Sequence, residues 1–141
     1  GTLVVVWNSF LQHQSAVTDE IEKVYQTDLR DIYPGDNNTA IVNQIALDKV
    51  DGRINAIMTD PALETVFLNR YLVTYTYDEV TYPKFLATYP KVINIDNERR
   101  ERFLHRIAEV VKTYGSVTVP VLSTVIVCRK REDFMRQVAT I

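Results

Sequence analysis

The stretch Thr2-Leu3-Val4-Val5-Val6-Trp7 decides the fold that we expect for this chain. It is an uninterrupted apolar run, rich in β-branched residues, and it ends at the polar pair Asn8-Ser9. Such a run is typical of a strand that is buried on both faces inside an α/β sheet. We therefore predict a strand over 2–7 with neighbours on both sides.

Two further segments predict strands that can accompany the first. Residues 70–77 alternate strictly, with three tyrosines and a valine on one face and a leucine and two threonines on the other. Residues 117–128 form a second long apolar run, and Arg129 and Lys130 mark its exit into solvent. The sequence therefore predicts a sheet of at least three strands.

Apolar residues at helical spacing predict the helices between these strands. Ser15 is the expected N-cap of a helix over 16–28. Asp96 or Asn97 begins the clearest helix, which Gly115 ends. Two shorter helical segments are predicted, one that Asp78 caps and one that contains Phe134, Met135 and Val138.

The segment 31–68 has the weakest pattern in the chain. Residues 41–46 predict a short helix that ends before Gly52. Asp60-Pro61 has the form of an N-cap followed by proline at the first helical position, and it predicts a further helix through Phe67. We therefore interpret 31–68 as a helical insertion or lid within a single domain spanning 1–141.

The composition limits the partners of the chain. The 141 residues are 46% hydrophobic and 24% charged, which is typical of a globular domain. The net charge of -2 argues against a nucleic-acid-binding surface, and no apolar run approaches the roughly 18 residues of a membrane span. We therefore expect neither nucleic acid nor a membrane as partner. The lone Cys128 excludes an internal disulfide and fits a reducing compartment, so we expect a cytoplasmic protein.

Residues with catalytic chemistry are sparse. The four glycines are too far apart for a phosphate-binding loop, and His13 and His105 have no metal-ligand spacing, so we expect no metal. The charge run 98–102 indicates a solvated helix face, with binding of an anionic ligand or nucleic acid as the alternative. The dense tyrosines indicate either a packed sheet face or an aromatic wall lining a substrate; they are Tyr71, Tyr75, Tyr77, Tyr82 and Tyr89.

Three groups of residues together resemble a known family. They are Gly1 to Asn8, then 73–80 with 85–89, and then 97–104 continuing through 114–120 to 125–130. Their order and spacing resemble the C-terminal half of class I S-adenosylmethionine-dependent methyltransferases, in the small-molecule group that includes trans-aconitate-type enzymes. The resemblance implies a partial Rossmann-like sheet with helices and a helical insertion. Its strand order would be 2–7, 117–128, 70–77, with 117–128 antiparallel.

The resemblance also shows what this sequence lacks. The acidic-x-Gly-x-Gly-x-Gly loop that the family places before this region is absent, and Gly1 stands where the turn before the fifth strand would be. S-adenosylmethionine is thus implied for the parent enzyme, and we expect no cofactor to bind this chain tightly. A start at Gly1 without Met leads us to expect a truncated, processed or engineered product.

The resemblance places the small-molecule substrate at the carboxyl end of the first strand. Trp7, Asn8 and His13 would then bind it, 31–68 would cover it, and Thr88 and Tyr89 would line it. No residue stands out as a general base, so the catalytic residues are unknown.

Two functions follow from these observations. The chain is either the C-terminal portion of a small-molecule methyltransferase, inactive alone, or a non-catalytic α/β module that acts by self-association or partner binding. In both cases strand 2–7 lacks a neighbour on one edge, and an unpaired apolar edge favours association. We expect a homo-oligomer, most simply a two-fold dimer that uses the 2–7 edge or the sheet face beside it.

Overall fold

The computed structural model describes residues 1–35, 38–132 and 139–140. The helices and strands in chain order are β1 (Thr2–Phe10), α1 (Ala16–Asp28), α2 (Thr39–Met58), β2 (Leu63–Tyr77), α3 (Thr81–Leu86), α4 (Pro90–Ile93), α5 (Asn97–Tyr114) and β3 (Val117–Lys130). The predicted α/β class is therefore confirmed. The predicted helical segment with Phe134, Met135 and Val138 lies outside the described residues.

The three strands form one antiparallel sheet in the order β1-β3-β2. β1 pairs with β3 in a register that runs from Thr2 opposite Arg129 to Phe10 opposite Val121. At the other side of β3, the Arg131 amide donates to the Ala62 carbonyl at 2.9 Å. These strands and the helices establish the α/β class. A Rossmann-like sheet is mostly parallel, so three antiparallel strands do not confirm the Rossmann-like arrangement that the resemblance implies.

The caps of α1 and α5 explain where these two helices begin and end. The Ser15 hydroxyl accepts from the Thr18 amide at 3.3 Å, and the Asp96 carboxylate accepts from the Arg99 amide at 2.9 Å. Each side chain satisfies an amide that has no partner inside its helix. Gly115 follows α5 with a φ of 89°, a conformation that side chains with a Cβ disfavour. Both helices were predicted from these signals.

Helix α2 corrects the prediction of a short helix that ends before Gly52. The helix continues to Met58, and Gly52 lies exposed in its interior. A glycine inside a helix costs about 1 kcal/mol relative to alanine. Val50 and Ile54 flank this glycine and are both buried, and their burial offsets that cost.

Strand β2 corrects the predicted helix after Asp60-Pro61. The Asp60 carboxylate accepts from the Ala62 amide at 2.8 Å, so the side chain closes a turn and does not cap a helix. Residues 63–67 then begin β2, where β-branched and aromatic side chains are favoured. The segment 31–68 therefore combines α2 with the first part of a strand, and is not wholly helical.

Strand β1 also differs from the prediction, because only one of its faces is covered. Val5 and Trp7 are half-buried on one face, whereas Val4 and Val6 on the other are exposed. The strand continues past Trp7 to Phe10. Apolar composition alone could not show this asymmetry, since both faces carry aliphatic side chains.

The chain divides into two compact units. Unit 1 comprises 1–11, 44–73 and the described residues of 121–141; unit 2 comprises 12–43 and 74–120. In unit 1, Trp7, Ile57 and Leu63 pack against a buried group of Val50, Ile54, Ile126 and Cys128. In unit 2, α1 and α5 bury Val17, Ile21, Val24, Phe103, Ile107 and Val111.

Candidate functional site

Unit 2 contains two groups of aromatic rings, which we call the aromatic cluster. In one group, the Tyr25 ring lies 5.1 Å from the Tyr33 ring and 5.0 Å from the Phe103 ring, both edge-on. In the other, Phe85 stacks on Tyr77 at 4.9 Å and meets Tyr89 edge-on at 5.2 Å. Tyr82 completes the second group. Edge-on and offset rings of this kind add stability beyond the area they bury.

Burial sets the ionisation of the phenols in the aromatic cluster. It raises the pKa of Tyr89 to about 12 and raises the pKa of Tyr25 and of Tyr82 further above the ordinary value. These three phenols are therefore protonated at neutral pH. They can donate hydrogen bonds to a ligand, but they do not supply a general base.

Alkaline pH should destabilise the chain through Tyr89. The pKa of Tyr89 is about 12 in the folded chain and near the ordinary 10.0 when unfolded. Its contribution to stability is therefore complete below about pH 10 and is lost as the pH rises towards about 12. We expect Tyr89→Phe to reduce the fall in the free energy of unfolding between about pH 9 and about pH 11, measured by urea denaturation. Thr88→Ala is the control, because it removes no phenol. If the free energy of unfolding falls with pH as steeply in Tyr89→Phe as in the parent chain, the prediction is wrong.

Trp7 lies in the core of unit 1, beneath α2. Its ring packs against the buried group of Val50, Ile54, Ile126 and Cys128, and the Arg53 guanidinium lies 6.0 Å from the ring centroid. The indole Nε1 is buried without a hydrogen-bond partner. Thr124 lies directly opposite Trp7 on β3, and its hydroxyl is also buried without a hydrogen-bond partner.

Asn8 points to the opposite face of the sheet from Trp7, because side chains alternate along a strand. It is exposed, and its carboxamide oxygen accepts from the Ser123 hydroxyl at 2.6 Å. The structure therefore does not bring Trp7 and Asn8 to one surface.

The other predicted substrate-binding residues belong to unit 2. His13 is exposed between β1 and α1, and its backbone carbonyl accepts from the Thr18 hydroxyl at 2.6 Å. Thr88 is exposed, and its hydroxyl donates to the Phe85 carbonyl at 2.6 Å. Thr88 thus lies beside the aromatic cluster that contains Tyr89.

The arginines of the charge run on α5 bind backbone and carboxylate groups of unit 2. The Arg99 guanidinium donates to the Asp28 carbonyl at 2.7 Å and to the Asp31 carboxylate. Hydrogen bonds from Arg99 lower the pKa of Asp31. The Arg100 guanidinium donates to the Ile93 carbonyl at 3.0 Å. The run is thus partly structural, whereas the sequence indicated a solvated face.

An open groove of about 410 Å³ lies between α1 and α5. Its lining mixes acidic and basic side chains with two valines: Glu20, Lys23, Val24, Thr27, Arg106, Glu109 and Val110. Charges of both signs give the groove no preference for an anion or a cation.

The predicted group of dense tyrosines left out four members of the aromatic cluster, and the sequence did not indicate the contact of Arg53 with Trp7. The four members are Tyr25, Tyr33, Phe85 and Phe103. Tyr25 follows Val24 in the apolar stripe of α1, and that spacing was the only local signal of its burial. Tyr33 lies in a turn segment, and its ring receives the Lys91 ammonium at 4.7 Å. Nothing near Arg53 in the sequence indicates its contact with Trp7.

The described part of the chain was searched for metal ligands and for membrane spans. Residues 1–35, 38–132 and 139–140 contain no group of three histidine, cysteine, aspartate or glutamate side chains that could hold a metal ion. Within the same ranges, no helix has the length and apolar character needed to cross a bilayer. No model of a known protein family matches the chain, and a search of curated proteins finds no match either.

Proposed function

We propose that this chain supplies the C-terminal part of a methyltransferase that acts on a small molecule, with the part of its sheet that lies beyond β1 provided by other residues. The observation that carries the proposal is the outer edge of β1. Among the strands of the described residues, β1 pairs with β3 alone. Val4 and Val6, exposed on this strand, have the composition of a sheet interior.

The segments that resemble methyltransferases support this proposal through their positions in the fold. Residues 1–8 fall on β1, 73–80 fall on the end of β2, and 97–130 fall on α5 and β3. In the proposed arrangement a further strand pairs with the open edge of β1 and extends a Rossmann-like sheet. The substrate would then lie near the carboxyl end of β1, which is at Phe10.

The residues of this chain do not fit S-adenosylmethionine. The connection between β1 and α1 is Leu11-Gln12-His13-Gln14-Ser15, which contains no glycine. Gly35 and Gly115 have positive φ, but they lie far apart in the sequence. A cofactor site therefore needs residues from outside this chain, and we assign no catalytic step to the residues described here.

Cofactor binding provides one test of the proposal. We expect calorimetric titration of the 141-residue chain with S-adenosylmethionine to show no binding in the micromolar range, because no Gly-rich turn is present. Reading the gene upstream of the codon for Gly1 should reveal an in-frame segment with a Gly-rich loop. The protein that includes this segment should then bind the cofactor at micromolar concentration.

Two results would contradict the proposal, one for the missing cofactor site and one for the methyltransferase itself. Micromolar binding by the 141-residue chain means that a cofactor site exists within it. An upstream region without an in-frame Gly-rich segment favours the second candidate, a non-catalytic α/β module that acts through association. That candidate is supported by the exposed aliphatic residues of β1 and β2.

A further inference from the structure

One face of the sheet in unit 1 carries two cross-strand rows of exposed or half-buried aliphatic side chains. Val4 lies opposite Val127, and Val6 lies opposite Val125. Val66 and Leu68 extend these rows onto β2. We call these six residues the aliphatic face: Val4, Val6, Val66, Leu68, Val125 and Val127.

Contacts on both sides of β3 place the β2 residues on the same face as the valines of β1. The Thr65 hydroxyl meets the Cys128 thiol at 3.8 Å on the face that α2 covers. The Glu64 carboxylate meets the Arg129 guanidinium at 3.6 Å on the other face. Because side chains alternate along a strand, Val66 and Leu68 share the face of Glu64, and Val125 and Val127 share the face of Arg129.

The two faces of this sheet differ in burial around β3, although Leu3 and Phe67 on the side of α2 are 43% and 45% exposed. Ile126 and Cys128 are fully buried beneath α2. On the aliphatic face, by contrast, Val4 is 57% exposed and Val6 is 60% exposed. Val66 and Leu68 are also exposed. Apolar side chains in adjacent rows on three strands form a surface that is typical of an interface.

We infer that the aliphatic face packs against the same face of a second copy of this chain, forming a two-fold dimer by sheet-on-sheet contact. Two sheets of aliphatic residues pack about 10 Å apart, with side chains that interdigitate. A two-fold contact uses the same patch on both copies. The inference concerns a face of the sheet, and it goes beyond the proposed function, which concerns the edge of β1.

The area of the aliphatic face matches what a dimer of ordinary size needs. Val4, Val6, Val66 and Leu68 are 57%, 60%, 44% and 38% exposed, and Val125 and Val127 are half-buried, so the six residues present apolar surface on the order of 300–400 Å². A standard interface buries about 800 Å² on each partner, of which a little over half is apolar. The aliphatic face therefore provides most of the apolar share, and its polar borders provide the remainder.

The borders of the aliphatic face allow this contact without net charge. At one end, Arg129 and Glu64 pair with each other. At the other end, Asn8 and Ser123 are joined by a hydrogen bond. Arg70, two residues beyond Leu68 on β2, is paired with Asp51 at 3.0 Å. A second copy therefore meets paired charges and one neutral pair, and no block of like charges opposes the contact.

Sedimentation equilibrium of the 141-residue chain at about 50 µM tests the inference. We expect the parent chain to sediment as a dimer. Val6→Lys and Val66→Lys should each raise the dimer dissociation constant at least about tenfold, because each places an ammonium group in the contact. Val80→Lys is the matched control, since Val80 lies outside the aliphatic face and is 55% exposed. It should leave the dimer intact.

The two lysine variants distinguish a dimer formed through the aliphatic face from one formed through the outer edge of β1. Pairing through the outer edge of β1 depends on Val6 and not on Val66, so a folded Val66→Lys chain that remains dimeric overturns the inference. A monomeric parent chain also overturns it, as does equal weakening by Val80→Lys. Circular dichroism checks folding. If a lysine variant does not fold, the double variant Val6→Thr with Val66→Thr keeps the strand shape and must still weaken the dimer.

Discussion

Replacing Phe103 with alanine should lower the free energy of unfolding by about 3–5 kcal/mol, because it removes a fully buried aromatic side chain. Phe103 lies in the middle of α5, and its ring meets the Tyr25 ring of α1 edge-on at 5.0 Å. The substitution therefore leaves a cavity and also removes a ring contact. Such a loss is a large share of the total stability of an ordinary domain, which is about 5–15 kcal/mol.

Urea denaturation followed by circular dichroism measures this effect. Tyr114→Ala is the control, because Tyr114 is an exposed aromatic residue at the end of the same helix. It should cost less than about 1 kcal/mol. If the two variants lose the same stability, Phe103 does not hold α1 and α5 together, and the packing of unit 2 would need another explanation.

Signals that are local in sequence predicted α1 and α5 of unit 2 correctly, whereas α4 was not predicted. Ser15 and Asp96 cap α1 and α5 through hydrogen bonds that span only three residues. The apolar stripe of α5 contains Phe103, Ile107 and Val111, and all three are buried. Such features need no knowledge of distant contacts, since they arise within one or two helical turns.

The first half of β2 shows why other elements could not be predicted. Asp60-Pro61 is a strong local signal for a helix start, but pairing with β3 overrides it. The Arg131 amide donates to the Ala62 carbonyl at 2.9 Å, and the Arg131 side chain donates to the Leu63 carbonyl at 2.8 Å. These bonds join residues 69 and 68 positions apart, and no window of local sequence contains both partners.

The candidate site was predictable only in part for the same reason. Sequence reasoning placed five tyrosines in one dense aromatic segment. The structure brings Tyr77, Tyr82 and Tyr89 together around Phe85, whereas Tyr71 and Tyr75 are exposed. Sequence reasoning also placed both Trp7 and Asn8 beside the substrate because both were expected at the carboxyl end of strand 2–7, although alternation along a strand sends adjacent side chains to opposite faces. That part of the error could have been avoided from the sequence.

Replacing Arg106 with methionine should lower the free energy of unfolding by about 1–3 kcal/mol, because it leaves a buried carboxylate without its cation, although the Arg106 side chain is itself 43% exposed. The Asp28 side chain is only 9% exposed, and one of its oxygens accepts from the Arg106 guanidinium. The other oxygen, Oδ2, has no hydrogen-bond partner. Asp28 is also the last residue of α1, where the helix dipole disfavours a negative charge. Arg106 therefore compensates for both costs.

A double-mutant cycle separates the ion pair from the packing of the arginine side chain. Asp28→Asn removes the charge at nearly constant shape, so Arg106→Met should cost much less in the Asp28→Asn background than in the parent chain. Arg102→Met is the control, because Arg102 is an exposed arginine on the same helix, and it should change the free energy of unfolding by less than about 0.5 kcal/mol. If Arg106→Met costs as much in the Asp28→Asn background as in the parent chain, its contribution comes from packing. The carboxylate of Asp28 must then be stabilised by other groups, such as Arg99, which already binds the Asp28 carbonyl.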